Sequence, residues 1–314
     1  MSLNDIVFNQ YGRLRSGWRF LIFLISFGIL AAFSATGAIK ILSGLPLGFT
    51  PDSLLALFVP FTIFAALAIF LGGLYGKIFE DLPFRALGFW FTKNWLKDLF
   101  LGCFLGAASL CFAALLAAIF GGVSFQFNQS AGASAIFLTL GVSLLIFIAG
   151  AIFEEAFFRG YMLQTLARAR LFWAGLIITS FFFASAHNDN PSAGFLSWLN
   201  TFIAGAWLAL AYYKTRNLWF PFGIHLTWNW FQGSVLGINV SGLQKIVTAP
   251  VLQSFDAGPE WLTGGQYGLE GGAACTIALI FSTVLIYFLP FLKPSEEMLA
   301  LTSEEKVREA RTEK

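Results

Sequence analysis

Glu154, Glu155 and Arg159 interrupt a chain that is 57% hydrophobic and only 11% charged. Its two histidines, His187 and His225, fall in equally apolar runs, and Asn229 follows the second by four residues. Ionisable groups inside such runs are costly and mark pathways or reactive sites. A carboxylate beside an imidazole can activate water, and an imidazole beside an amide can donate to a developing oxyanion. The spacing divides the labour. Glu155 and Arg159 are four apart, so they share a helical face and can pair. Glu154 is turned about 100° away by the 3.6-residue period and is left free to react. The plain alternative is a single structural ion cluster between helices, with each histidine a packed, hydrogen-bonded core residue.

These residues need apolar helices to position them. Eight segments are long and apolar enough to span a bilayer, at about 18–42, 53–76, 96–121, 134–167, 171–190, 195–213, 218–236 and 273–292. Helices are required because lipid offers no partners to open strand edges. The fold expected is all-α: a polytopic membrane protein of about eight transmembrane helices. The first run exceeds the 7–15 residues typical of a signal-peptide core, so it reads as an uncleaved anchor. Cys103, Cys111 and Cys275 lie in apolar runs without metal-site spacing and read as packing residues.

Charge sets the orientation. All but three of the nineteen Lys and Arg fall in segments on one side of these spans; the exceptions are Lys40, Lys245 and the intramembrane Arg159. Cytoplasmic loops carry such an excess, so both termini are expected in the cytoplasm. Residues 237–272 then form an outward loop, read first as a surface connection and, as the sharper alternative, as a cover for a site. Thr302-x-x-Glu305 ahead of KVREAR has a capping-box pattern. In an antiparallel hairpin turning near Arg170–Leu171, Glu154 and His187 come level, each about 24 Å from the turn at ~1.5 Å per residue. His225 would sit shallower; one resolution is that the fourth and fifth helices project a turn or two past the membrane, which would place the site in the cytoplasmic half.

Three motifs carry a resemblance. EEAFFR (Glu154-Glu155-x-x-x-Arg159), FASAH (Phe183-x-x-x-His187) and HLTWN (His225-x-x-x-Asn229) resemble, in order and residue type, those of the CPBP family, which includes the Rce1-type CAAX prenyl proteases and the bacterial Abi proteins. The resemblance covers about 134–236 and implies intramembrane peptide-bond hydrolysis. It makes Glu154 the general base with His187 as its partner, and His225 and Asn229 the oxyanion donors. Glu155, Arg159 and Phe183 support the geometry. The chain then divides into an N-terminal segment 1–17, N-terminal helices 18–133, catalytic-core helices 134–236, the outward loop 237–272, a last helix 273–292 and a charged tail 293–314.

No cofactor is favoured, because asparagine is a poor zinc ligand and HExxH is absent; a Zn²⁺ held by Glu154, His187 and His225 remains the alternative. The expected partners are a peptide or membrane-protein substrate and the lipid bilayer, with no nucleic acid; the sequence leaves the oligomeric state open. The compact loops suggest a bacterial inner (cytoplasmic) membrane. Two other functions fit the same residues: a non-catalytic immunity or scaffold member of the family, and a transporter. The transporter is disfavoured by the lack of repeated halves.

Overall fold

The structure, a computed structural model, describes residues 3–45, 50 and 53–304. All eight apolar segments are helical: α1 (Ser16–Ser43), α2 (Leu54–Glu80), α3 (Trp95–Gly121), α4 (Ala133–Arg168), α5 (Phe172–Ser185), α6 (Phe195–Thr215), α7 (Trp219–Trp230) and α8 (Ala273–Phe288). Five of them, α1 to α4 and α6, are long and apolar enough to cross a membrane. The other three are shorter than their segments. At ~1.5 Å per residue α5 extends only about 21 Å, against a hydrocarbon core of ~30 Å. It stops at Ser185 and a series of turns carries the chain to α6.

Among the described residues two strands interrupt the helical pattern. β1 (Val123–Phe127) pairs antiparallel with β2 (Leu252–Asp256), Val123 opposite Asp256 and Phe127 opposite Leu252. Both strands carry aromatic and polar residues suited to a half-exposed ribbon. The pairing ties the loop 237–272 to the α3–α4 connection, so the all-α expectation gives way to a mostly helical fold with one two-stranded sheet.

The helix that carries HLTWN is held main chain to main chain against α3. A Cβ on Gly106 would stand 2.3 Å from the Ile224 carbonyl oxygen, and one on Gly223 would stand 2.5 Å from that of Leu99. Small residues of this kind let membrane helices approach closely. Thr227 Oγ1 donates to the Cys103 carbonyl across the same seam (2.9 Å). Asn217 caps the first turn of α7, its Oδ1 accepting from the N–H groups of Trp219 (3.0 Å) and Phe220 (3.3 Å). Its Nδ2 donates to the buried Asp98 of α3.

Two charge assignments change. Arg19 and Arg168, counted as loop charges, are buried around the buried Glu80. Arg19 Nη1 lies 2.9 Å from Glu80 Oε1, and Arg168 grips both carboxylate oxygens from Nε (2.9 Å) and Nη2 (2.7 Å). This cluster joins α1, α2 and the end of α4. Thr302 ends the helix Glu296–Thr302, which Ser295 caps, and donates to the Met298 carbonyl. Glu305 and KVREAR lie outside the described residues.

Candidate active site

The motif residues meet because α4 changes its winding. Its middle, Glu155–Met162, is a π-helical stretch, with Gly160 leaving helical geometry (ψ −122°). Such wide turns displace side chains from the ordinary 3.6-residue register and are frequent at functional sites. An aromatic cluster holds the stretch: Phe157 packs on Phe27 (centroids 4.4 Å apart) and Phe23 (5.7 Å) of α1.

The expected pair forms. Arg159 Nη1 donates to Glu155 Oε1 at 3.0 Å, with both side chains buried (1% and 0% exposed). Arg159 Nη2 donates to the Gly205 carbonyl (3.3 Å), and the guanidinium lies 4.3 Å from the Phe183 ring centroid. Glu155 Oε1 also accepts from His225 Nδ1 at 2.9 Å.

Glu154 points elsewhere, as its offset from Glu155 requires, but its nearest imidazole differs from the one expected. His225 Nε2 stands 3.5 Å from Glu154 Oε2, an electrostatic contact longer than a normal hydrogen bond. His225 thus sits between the two carboxylates. His187 lies in the turns beyond α5, where Nδ1 donates to the Phe183 carbonyl (2.7 Å). That bond leaves Nε2 as its available ring nitrogen. The hairpin arithmetic assumed a helix continuing to residue 190, and the early end of α5 removes that register. Phe183 packs against His187 (4.9 Å) and His225 (6.1 Å), holding both rings beside the arginine.

Glu154, His187, His225 and Asn229 line one cavity of about 100 Å³. Glu154 Oε2 and Glu155 Oε2 are buried and have no hydrogen-bond partner among the described residues. Unsatisfied carboxylate oxygens at such depth are costly, and Glu154 itself lines the cavity. Apolar walls come from residues such as Phe61, Ile146, Phe147 and Trp207.

Val240, Ser241, Leu243, Ile246 and Glu270, from the loop 237–272, line the same cavity. The loop is therefore a wall of the site, not simply a surface connection. No lining residue comes from the segments that carry the Lys and Arg excess, so the cavity lies toward the loop side of the bundle and not toward the 168–171 turn. Sequence reasoning missed Glu270, Ser241 and Asn200. The available signal was a lone carboxylate flanked by glycines in GLEGG, directly before an apolar helix. Burial raises the Glu270 carboxyl above its ordinary value, with Ser241 and His187 opposing the shift. Neighbouring Tyr267 is pushed up to about 12, by burial first and by Glu270 second.

Zinc was the alternative occupant. Among the described residues no three His, Cys, Asp or Glu side chains gather where they would hold one metal ion. Nδ1 of each histidine is committed to a protein acceptor, which leaves Nε2 as the nitrogen open to a ligand.

With this geometry in place, the comparison with protein families is specific. Residues 136–231 match the family model described as type II CAAX prenyl endopeptidase Rce1-like. Over these residues, less than half of the chain, the sequence is similar to that family. No curated protein and no solved structure matches the chain. The Rce1-like segment contains Glu154, Glu155, Arg159, Phe183, His187, His225 and Asn229, whereas Ser241 and Glu270 lie beyond it.

Proposed function

We propose that this chain is an intramembrane endopeptidase that hydrolyses a peptide bond of a membrane-associated or lipidated peptide or protein. The observation that carries the reading is the single cavity into which three separate elements bring Glu154, His187, His225 and Asn229. A water in contact with Glu154 would lose its proton to the carboxylate as it attacks the scissile carbonyl. His187, fixed through Nδ1, offers Nε2 as the partner for proton movement at that water and at the leaving amine. His225 is anchored by Glu155 through Nδ1. A proton on its Nε2 and the Asn229 amide, one turn further on, would stabilise the oxyanion. Preorganised donors away from bulk water contribute several kcal/mol to such steps. Arg159 and Phe183 keep Glu155 and the two imidazoles in register.

The chemistry is read as metal-free, supported by the lack of a three-ligand arrangement among the described residues. Dialysis against a chelator is expected to leave turnover unchanged. Loss of turnover, with recovery on stoichiometric Zn²⁺, returns the site to the metal reading. The same proposal places the protein in a bacterial cytoplasmic membrane with both termini inside, supported by the Lys and Arg distribution.

The test is cleavage of a set of synthetic membrane-spanning peptides by the full chain in lipid nanodiscs, carried out in H₂¹⁸O. New carboxyl termini carrying ¹⁸O are expected from the wild type and not from His187→Ala. Absence of cleavage by the wild type would count against the endopeptidase reading and favour a non-catalytic member of the family.

A further inference from the structure

The loop that closes the cavity brings in a second carboxylate. Glu270 sits on the single turn Leu269–Gly271 and lines the same space as Glu154 and His187. Its Oε2 accepts both the Ser241 N–H (2.5 Å) and the Ser241 hydroxyl (3.0 Å).

The turn is built into the helices around it. Asn200 Nδ2, from α6, donates to the carbonyls of Glu270 and Gly272, both at 2.9 Å. Asn200 Oδ1 accepts from Thr276 Oγ1 of α8 at 2.6 Å. Gly268, at φ +94°, packs so closely on Asn239 that a Cβ would stand 1.9 Å from its carbonyl oxygen. That carbonyl accepts from Gln232 Nε2, just beyond α7 (2.6 Å). Three helices thus fix the position of the Glu270 carboxylate.

The balance of charge in the cavity gives this carboxylate a consequence. Its walls include Glu154 and Glu270 but no lysine or arginine. Arg159 is spent on Glu155 and the Gly205 carbonyl. A substrate segment lying along the cavity therefore meets the Glu270 carboxylate with no lysine or arginine beside it, and Glu154 and the two histidines among the other walls. A buried, fixed charge selects by penalising like charge as well as by attracting the opposite one.

We propose that Glu270 is a specificity-determining residue, selecting substrates with a cationic or N–H-donating side chain at the loop end of the cavity and rejecting acidic ones. This inference rests on the endopeptidase reading and adds a residue outside the Rce1-like segment to it. Glu270 is not a catalytic residue here; it touches the substrate beside the reacting bond.

The test uses the full chain in lipid nanodiscs and one synthetic membrane-spanning peptide, varied by a single Lys, Gln or Glu at successive positions flanking the cleaved bond. Wild-type kcat/KM is expected to favour Lys over Glu by about tenfold or more at one or two positions. In Glu270→Gln, which keeps an oxygen for the Ser241 N–H, the ratio of kcat/KM between the Lys and Glu peptides collapses toward one. Ser241→Ala, which weakens the turn contact but leaves the charge, retains the sign of the preference. Equal discrimination by wild type and Glu270→Gln, or charge-blind cleavage by the wild type, overturns this inference and leaves the endopeptidase reading standing. Failure of the wild type to cleave any of the peptides overturns both.

Discussion

Two buried charge clusters lie along α4, and they are built differently. At its far end Glu80 accepts from Arg19 and from two nitrogens of Arg168, so both carboxylate oxygens are engaged. Arg168 Nη1 also donates to Gln164, which donates in turn to the Leu87 carbonyl. In the middle of the same helix, Glu154 and Glu155 each keep one buried oxygen without a hydrogen-bond partner among the described residues, and Glu154 faces a cavity. A cluster whose carboxylate oxygens are all engaged fixes helix positions. An under-satisfied one, placed against a cavity, holds back bonding capacity that a substrate can use. Buried charge alone therefore does not single out the candidate site; a buried carboxylate with an unspent oxygen, on a residue that lines a cavity, does.

Breaking the Glu80 cluster should cost stability. Glu80→Ala leaves two buried guanidinium groups without their shared anion, a change worth about 3–5 kcal/mol. A lowered unfolding midpoint in detergent is the expected readout, with turnover lost only in step with folding. Breaking the other cluster should cost chemistry. Asn229→Ala is expected to lower kcat by about 10²–10³-fold, as removal of an oxyanion donor does, with the midpoint near wild type. A fall in stability without that loss would make Asn229 a packing residue.

A pH titration sharpens the contrast at the loop. Burial raises the Glu270 carboxyl, against opposition from Ser241, His187 and Gln232. Tyr267 and Cys275 are the other titratable groups within reach of its charge. Because the folded value lies above the ordinary carboxyl value, its contribution to stability is full below the ordinary value and is lost as pH rises through the folded value. The preference for cationic substrates runs the other way, fading as pH falls through that value. Glu270→Gln should flatten both dependences. The smallest effect belongs to the exposed Lys77–Asp81 pair. Lys77→Ala should change stability by less than about 0.5 kcal/mol, which sets the baseline for the buried clusters.

The sequence made the local part of this site legible. Glu155–Arg159 pairing follows from a four-residue spacing, and Glu154 facing elsewhere follows from its offset. The eight helical segments follow from apolar length. What stayed hidden depended on where helices stop and what returns to meet them. His187 was assigned to a helix that ends at Ser185, so its alignment with Glu154 could not be computed from residue counts. His225 bridging both carboxylates arises from the π-helical stretch and the α3–α7 seam, neither of which leaves a periodic signal. Glu270 and Ser241 reach the cavity through a loop held by distant partners. Arg19, Glu80 and Arg168 sit at helix ends, where a charge is read as solvated. The β1–β2 ribbon was concealed because each strand is only five residues long and lies in a segment read as a connection.

The most direct test compares Glu154→Gln with Glu155→Gln in one measurement of peptide cleavage and thermal unfolding on the full chain in nanodiscs. Glu154→Gln is expected to keep the wild-type midpoint and lose cleavage by at least about 10²–10⁴-fold, the contribution of a positioned general base. Glu155→Gln, which weakens the bonds to Arg159 and His225, should lower the midpoint along with the rate. Wild-type cleavage by a well-folded Glu154→Gln protein would contradict the account.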